Sequence, residues 1–194
     1  MATTHLLYLH GFRSSPLSVK AQQMAEHVRV HHPQLHWLCP ALSVSPGEAM
    51  AAVHSACETW PKESVVVMGS SLGGFYATVL AQQWGCRAVL LNPAVRPHLH
   101  AAHLVGVFPQ WHDPRESVEF KAAYLDDLRA MEPQGLVDPQ RLMTIVATGD
   151  EVLDAAELMH YYRQTQLHVQ EGGDHALSDF PSFLPAIDRF LRSG

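Results

Sequence analysis

Gly69-Ser70-Ser71-Leu72-Gly73 holds a serine between two glycines at Gly-x-Ser-x-Gly spacing, with Ser71 at its centre. Ser70 is out of register, because Met68 and Leu72 would then stand where the glycines belong. Such glycines permit a tight, strained turn from strand into helix that exposes the central hydroxyl. Gly74 adds room for close packing. The turn also sets Ser71 at a helix N-terminus, where free N–H groups and the helix dipole favour developing negative charge. Alone the pattern is short, and its serine could simply cap a helix. A serine hydroxyl is a weak nucleophile until a base takes its proton. A base and an acid to orient it are therefore the next residues to find.

Most of the fourteen histidines read as surface or half-buried residues. His175 differs, because Gly172-Gly173-Asp174-His175 follows the last apolar run and its glycines let the chain turn an imidazole back toward Ser71. A carboxylate must hold that imidazole in the right tautomer. Asp150 comes just after the apolar run 142–147, within Thr148-Gly149-Asp150-Glu151-Val152-Leu153-Asp154. Asp154 is the rival, but Asp154-Ala155-Ala156-Glu157 has the form of a capping box opening a helix. Position after the strand favours Asp150. An oxyanion needs two N–H donors. The backbone of Leu72 is one candidate, and that of Phe12 in His10-Gly11-Phe12-Arg13 the other, with Gly11 keeping the approach open. His10 reads as a structural residue beneath the site.

Short apolar runs alternate with segments of helical spacing. Strands are expected over 5–10, 35–39, 64–68, 87–91, 142–147 and 167–170. Helices are expected over 17–31, 46–59, 72–84, 154–163 and 178–191. This alternation implies an α/β fold of about six mostly parallel strands with helices on both faces. Ligands of such sheets bind at the carboxyl ends of the strands. Segment 92–140 breaks the rhythm, with six prolines, no clear strand and a helical piece near 116–131. It reads as a cap-like insertion in a single domain spanning 1–194.

The composition of the 194 residues, 47 % apolar and 16 % charged, is globular. The net charge is −6 and the basic residues are scattered, which argues against nucleic acid and anionic membrane surfaces as partners. Three widely spaced cysteines, Cys39, Cys57 and Cys86, give no disulfide framework or zinc motif. With no signal-peptide pattern at the N-terminus, a reducing, cytoplasmic setting is expected. Residues 64–86 lack any charge and are long enough to cross a bilayer. The glycine-rich turn and Gln82-Gln83 fit a buried strand and helix better than a membrane span.

Taken together, the motifs resemble the YqiA-like esterases of the α/β-hydrolase superfamily. The matching pieces are Leu7-Tyr8-Leu9-His10-Gly11-Phe12 with Ser14-Ser15-Pro16, the serine turn through Gly74, Asn92-Pro93-Ala94-Val95-Arg96-Pro97, the Asp150 loop, and Glu171-Gly172-Gly173-Asp174-His175. They run in the same order along nearly the whole chain. The resemblance implies a compact α/β-hydrolase fold and an esterase acting on small-molecule substrates, short acyl esters and palmitoyl-CoA-type thioesters. It maps the nucleophile to Ser71, the acid to Asp150 and the base to His175, with no metal or other cofactor. Arg13 and Arg96 are candidates to meet an acidic substrate group, though each could serve a structural salt bridge. Phe108, Trp111 and Tyr124 could line an acyl pocket or be the cap's own packing.

Two other readings compete. A metal-dependent enzyme is suggested by His98, His100 and His103, and by His27, His31, His32 and His36, but no carboxylate or cysteine in either stretch completes a ligand set. A binding module on the same scaffold is the other, since fold alone carries no chemistry.

Overall fold

Val65, Val66, Val67 and Met68 are each at most 1 % exposed, as a strand covered on both faces requires. In this computed structural model, which describes residues 2–110 and 115–193, that run belongs to the central strand of a parallel sheet. The elements in chain order are β1 (His5–Leu9), α1 (Val19–His31), β2 (His36–Leu38), α2 (Pro46–Ala56), β3 (Val65–Ser70), α3 (Leu72–Trp84), β4 (Arg87–Leu91) and α4 (Pro97–His100). They continue with β5 (Gly106–Pro109), β6 (Ser117–Phe120), α5 (Ala123–Met131), β7 (Leu142–Ala147), α6 (Ala155–Tyr161), β8 (Gln166–Gln170) and α7 (Leu184–Arg192). Six strands pair in the order β2-β1-β3-β4-β7-β8, every pair parallel.

Alternate residues of each strand feed two separate cores. Leu7, Leu9, Val65, Val67, Ala88, Leu90 and Val146 pack with α2, α3, α5 and α6. Leu6, Tyr8, Val66, Met68, Val89, Leu91, Met143 and Ile145 pack with Met24 and Val28 of α1 and with Ile187, Phe190 and Leu191 of α7. Strand order reverses between β1 and β3, and a crevice at such a point lies at the carboxyl ends of the strands. The chargeless stretch 64–86 resolves into β3, the serine turn and α3. Among the described residues no helix is long and apolar enough to cross a membrane.

Two expectations need correction. Segment 92–140 does contain strands: β5 and β6 form an antiparallel pair, with Gly106 opposite Phe120 and Pro109 opposite Ser117. At four residues each they are too short to register as a period, and β6 occupies the start of the piece expected to be helical. The last helix begins at Leu184 rather than near 178, after a 3-10 turn over Phe180–Phe183. Pro181 and Pro185 explain the delay, because a proline fits an α-helix only in its first turn.

Candidate active site

Ser71 sits between the last residue of β3 and the first of α3 with φ 56° and ψ −120°. A non-glycine residue in that region is strained and persists only where its surroundings hold it. Here its N–H donates to the Leu91 carbonyl at 3.0 Å, and its own carbonyl accepts from Gly74 (2.9 Å), Phe75 (3.2 Å) and Ala94 (3.0 Å). The flanking glycines are needed for close approach. A Cβ on Gly69 would stand 2.0 Å from the Gly73 carbonyl oxygen, and one on Gly73 2.0 Å from that of Leu9.

The loops after β7 and β8 bring Asp150 and His175 to this serine. His175 Nε2 lies 3.0 Å from Ser71 Oγ, while Nδ1 lies 2.8 Å from Asp150 Oδ2 and 3.0 Å from Oδ1. With Nδ1–H donating to the carboxylate, Nε2 is left to accept the serine proton. The Asp150 side chain is closed to solvent and that of His175 is 19 % exposed. Burial pushes the Asp150 carboxyl up, but the His175 bond and the N–H groups of Leu153 and Val152 outweigh it and hold it below its ordinary value. Both N–H groups reach Oδ1 at 2.8 Å. Asp154, the rival acid, instead caps α6 by accepting from the N–H groups of Ala156 and Glu157.

Several residues that the sequence did not single out hold the His175 loop. Asn92, fully buried at the end of β4, donates through Nδ2 to the carbonyls of Asp174 (3.1 Å) and His175 (3.2 Å). Its Oδ1 accepts from Ala147 N–H at 2.9 Å, so one side chain ties β4, β7 and the loop together. Glu151 accepts the His175 N–H at 2.9 Å. The Lys20 ammonium donates to the Ala176 carbonyl, and burial lowers its pKa against the pull of Asp174 and Asp150. An asparagine just past an apolar strand was the available signal for the first; nothing local marks the others.

The loop after β1 passes beside the serine, since a Cβ on Gly11 would be 3.9 Å from Ser71 Oγ. Phe12 follows it directly. Leu72 is the first residue of α3, where an N–H has no intrahelical acceptor. His10 is buried at the cavity wall, where Nδ1–H donates to the Gly11 carbonyl and Nε2 accepts the Leu42 N–H.

A cavity of about 1050 Å³ opens over Ser71 and His175. Phe12, Leu72, Val95, Leu104, Phe120, Leu128 and Leu153 give it a mainly apolar lining, to which segment 92–140 contributes one wall. Arg13 lies on its border, but its Nε donates to the Pro109 carbonyl at 2.8 Å and its guanidinium lies over Phe108. Arg96 is bound to Glu157 at 2.7 Å and, like Phe108, stands outside the lining. Phe108 packs edge-on against Phe12, and Tyr124 against Phe120. Trp111 lies outside the described residues. His98 and His100 face separate carboxylates, Glu132 at 3.5 Å and Glu157 at 3.2 Å, rather than one another.

A parallel sheet wound in this order, with a strained serine turn after its central strand, is the α/β-hydrolase fold. The chain superposes on the mouse alpha/beta hydrolase domain-containing protein 10 with a TM-score of 0.70 at 14 % identity, covering 96 % of this chain and 89 % of that one. Est1E of Butyrivibrio proteoclasticus, solved with ferulic acid bound, gives a TM-score of 0.74 at 13 % identity over 98 % and 88 % of the two chains. Within this fold the chain belongs to UPF0227, an uncharacterised protein family matched over residues 5–192 and the YqiA-like group its motifs resemble. A UPF0227 protein of Serratia proteamaculans (strain 568) is 24 % identical over 192 residues, 95 % of this chain and 97 % of that protein.

Proposed function

We propose that the protein is a serine hydrolase that cleaves carboxylic esters or thioesters through an acyl-serine intermediate. The observation that carries this reading is the 3.0 Å approach of His175 Nε2 to the hydroxyl of a strained serine at the mouth of an apolar cavity. His175 takes the Ser71 proton as Oγ attacks the substrate carbonyl carbon, and Asp150 stabilises the imidazolium that forms. The N–H groups of Leu72 and Phe12 receive the oxyanion. The tetrahedral adduct collapses with loss of the alcohol or thiol, which takes the proton from His175. Water, deprotonated by the same imidazole, then releases the carboxylic acid and restores Ser71.

The apolar lining suits the acyl half of a small-molecule substrate, and segment 92–140 acts as a cap over it. The ferulic acid bound to Est1E, a carboxylic acid, supports an acyl ligand on this scaffold. A fluorophosphonate tests the reading, since it labels a serine only where a base and an oxyanion site activate it. Peptide mass spectrometry should find the label on Ser71, and Ser71→Ala should lose both labelling and turnover of a p-nitrophenyl ester. Undiminished turnover in that variant would remove the proposal.

A further inference from the structure

We propose that His27, His32 and Asp188 form a binding site for a zinc-type divalent cation that clips α1 to α7. The two histidines lie near and at the C-terminal end of α1, and the carboxylate comes from the middle of α7, 161 and 156 residues further along the chain. His27 Nε2 is 2.9 Å and His32 Nε2 2.7 Å from the same oxygen, Asp188 Oδ1. All three donor atoms lie within 4.8 Å of one another. Metal–ligand bonds of about 2.0–2.2 Å in a tetrahedron separate ligand atoms by roughly 3.3 Å, so small side-chain shifts admit the ion.

Chemistry and surroundings favour that class of ion. Two imidazoles and a carboxylate suit Zn²⁺, Co²⁺ or Ni²⁺, whereas Mg²⁺ and Ca²⁺ prefer all-oxygen sets. Three protein ligands leave a fourth position for water. The side chains of His27, His32 and Asp188 are 12 %, 5 % and 22 % exposed, so the histidines are held in place while the carboxylate side admits an ion. His32 is the C-cap of the 13-residue α1, where the helix dipole adds negative potential. The His31 ring lies 4.5 Å from that of His27.

The site is remote from Ser71. A helix that follows a parallel strand runs back toward the amino ends of the sheet, and α1 leads through His32 to His36, which pairs with His5 at the first residue of β1. The cation's role is structural and independent of ester cleavage.

The test uses untagged protein dialysed against chelator and titrated with ZnCl₂ by calorimetry. One equivalent should bind, and a hundredfold excess over Kd should raise Tm by several degrees. His32→Gln and Asp188→Asn should each weaken binding about a hundredfold or more. Because either variant could unfold, the unaltered protein is also titrated with CoCl₂, which should give the intense visible absorption of tetrahedral Co²⁺. Absence of that absorption, or Zn²⁺ binding unchanged in folded variants, overturns the site.

Discussion

Removing the Asn92 side chain tests how the His175 loop is held. Asn92 is fully buried, has φ 39° and makes three hydrogen bonds through its amide. Glycine is the informative replacement, because it accepts the positive φ without strain and deletes only the side chain. The Ala147 N–H would be left buried and unpaired, at about 1–3 kcal/mol, while the two loop carbonyls, partly open to water, lose roughly 0.5–1 kcal/mol each. The sum is about 2–5 kcal/mol. A urea slope of about 2 kcal/mol per molar converts it to a midpoint lowered by roughly 1–2.5 M. Asn92→Ala adds about 1 kcal/mol of left-handed strain, so it should be less stable than the glycine variant, reversing the usual order. Freed from two of its ties, the His175 imidazole should drift from Ser71, and a displacement near 1 Å costs about a hundredfold in kcat/KM. Urea titration and p-nitrophenyl ester kinetics read the two effects separately. A glycine variant that loses stability but keeps wild-type turnover would refute the claim that Asn92 positions the base.

Three other outcomes follow from the site. Asp150→Asn should lower kcat by about 10⁴, whereas Asp154→Ala should cost about 1 kcal/mol of stability through its helix cap and leave ester kinetics near wild type; the reverse ranking would reassign the acid. The Asp150 carboxyl titrates below its ordinary 3.8, so its stabilising contribution is complete above that pH and is lost as pH falls through the lower folded value. Thermal unfolding against pH should therefore show the wild type and Asp150→Asn converging in acid, and a constant gap would contradict the sign. Gly73→Ala sets a carbon 2.0 Å from the Leu9 carbonyl oxygen, a backbone atom that cannot swing aside, and should abolish both fluorophosphonate labelling and the cooperative unfolding transition.

Legibility in the sequence followed burial and range. α3, β4 and β7 have the expected limits because a continuous apolar run, or a glycine stop, announces them without help from distant residues. The β5–β6 pair was hidden because each four-residue strand alternates burial for barely two periods. At the site, the serine turn carries its own local signal, and the strand ends predicted that Asp150 and His175 would stand on its side of the sheet. Their meeting with Ser71 is a tertiary fact that alternation of elements makes legible. The roles of Asn92, Lys20 and Glu151 were not, because each acts on backbone groups brought close only by packing. Asp188 is a similar case: the neighbouring carboxylate, Glu26, pairs with Arg29, and the partner of His27 and His32 arrives on α7.

The span between Ser71 and His175, 104 residues, bears on the protein's synthesis. A ribosome adding about 5–20 residues per second takes roughly 5–20 s to cover that interval. During it the nascent chain carries an exposed serine turn with no base, and under the proposed mechanism that hydroxyl is an ordinary alcohol. On that mechanism reactivity arrives only when β8 docks on the edge of the sheet and its loop returns to the serine turn. Chains released early would therefore be inert toward cellular esters, so hydrolytic competence doubles as a report that the C-terminal half has been made and folded.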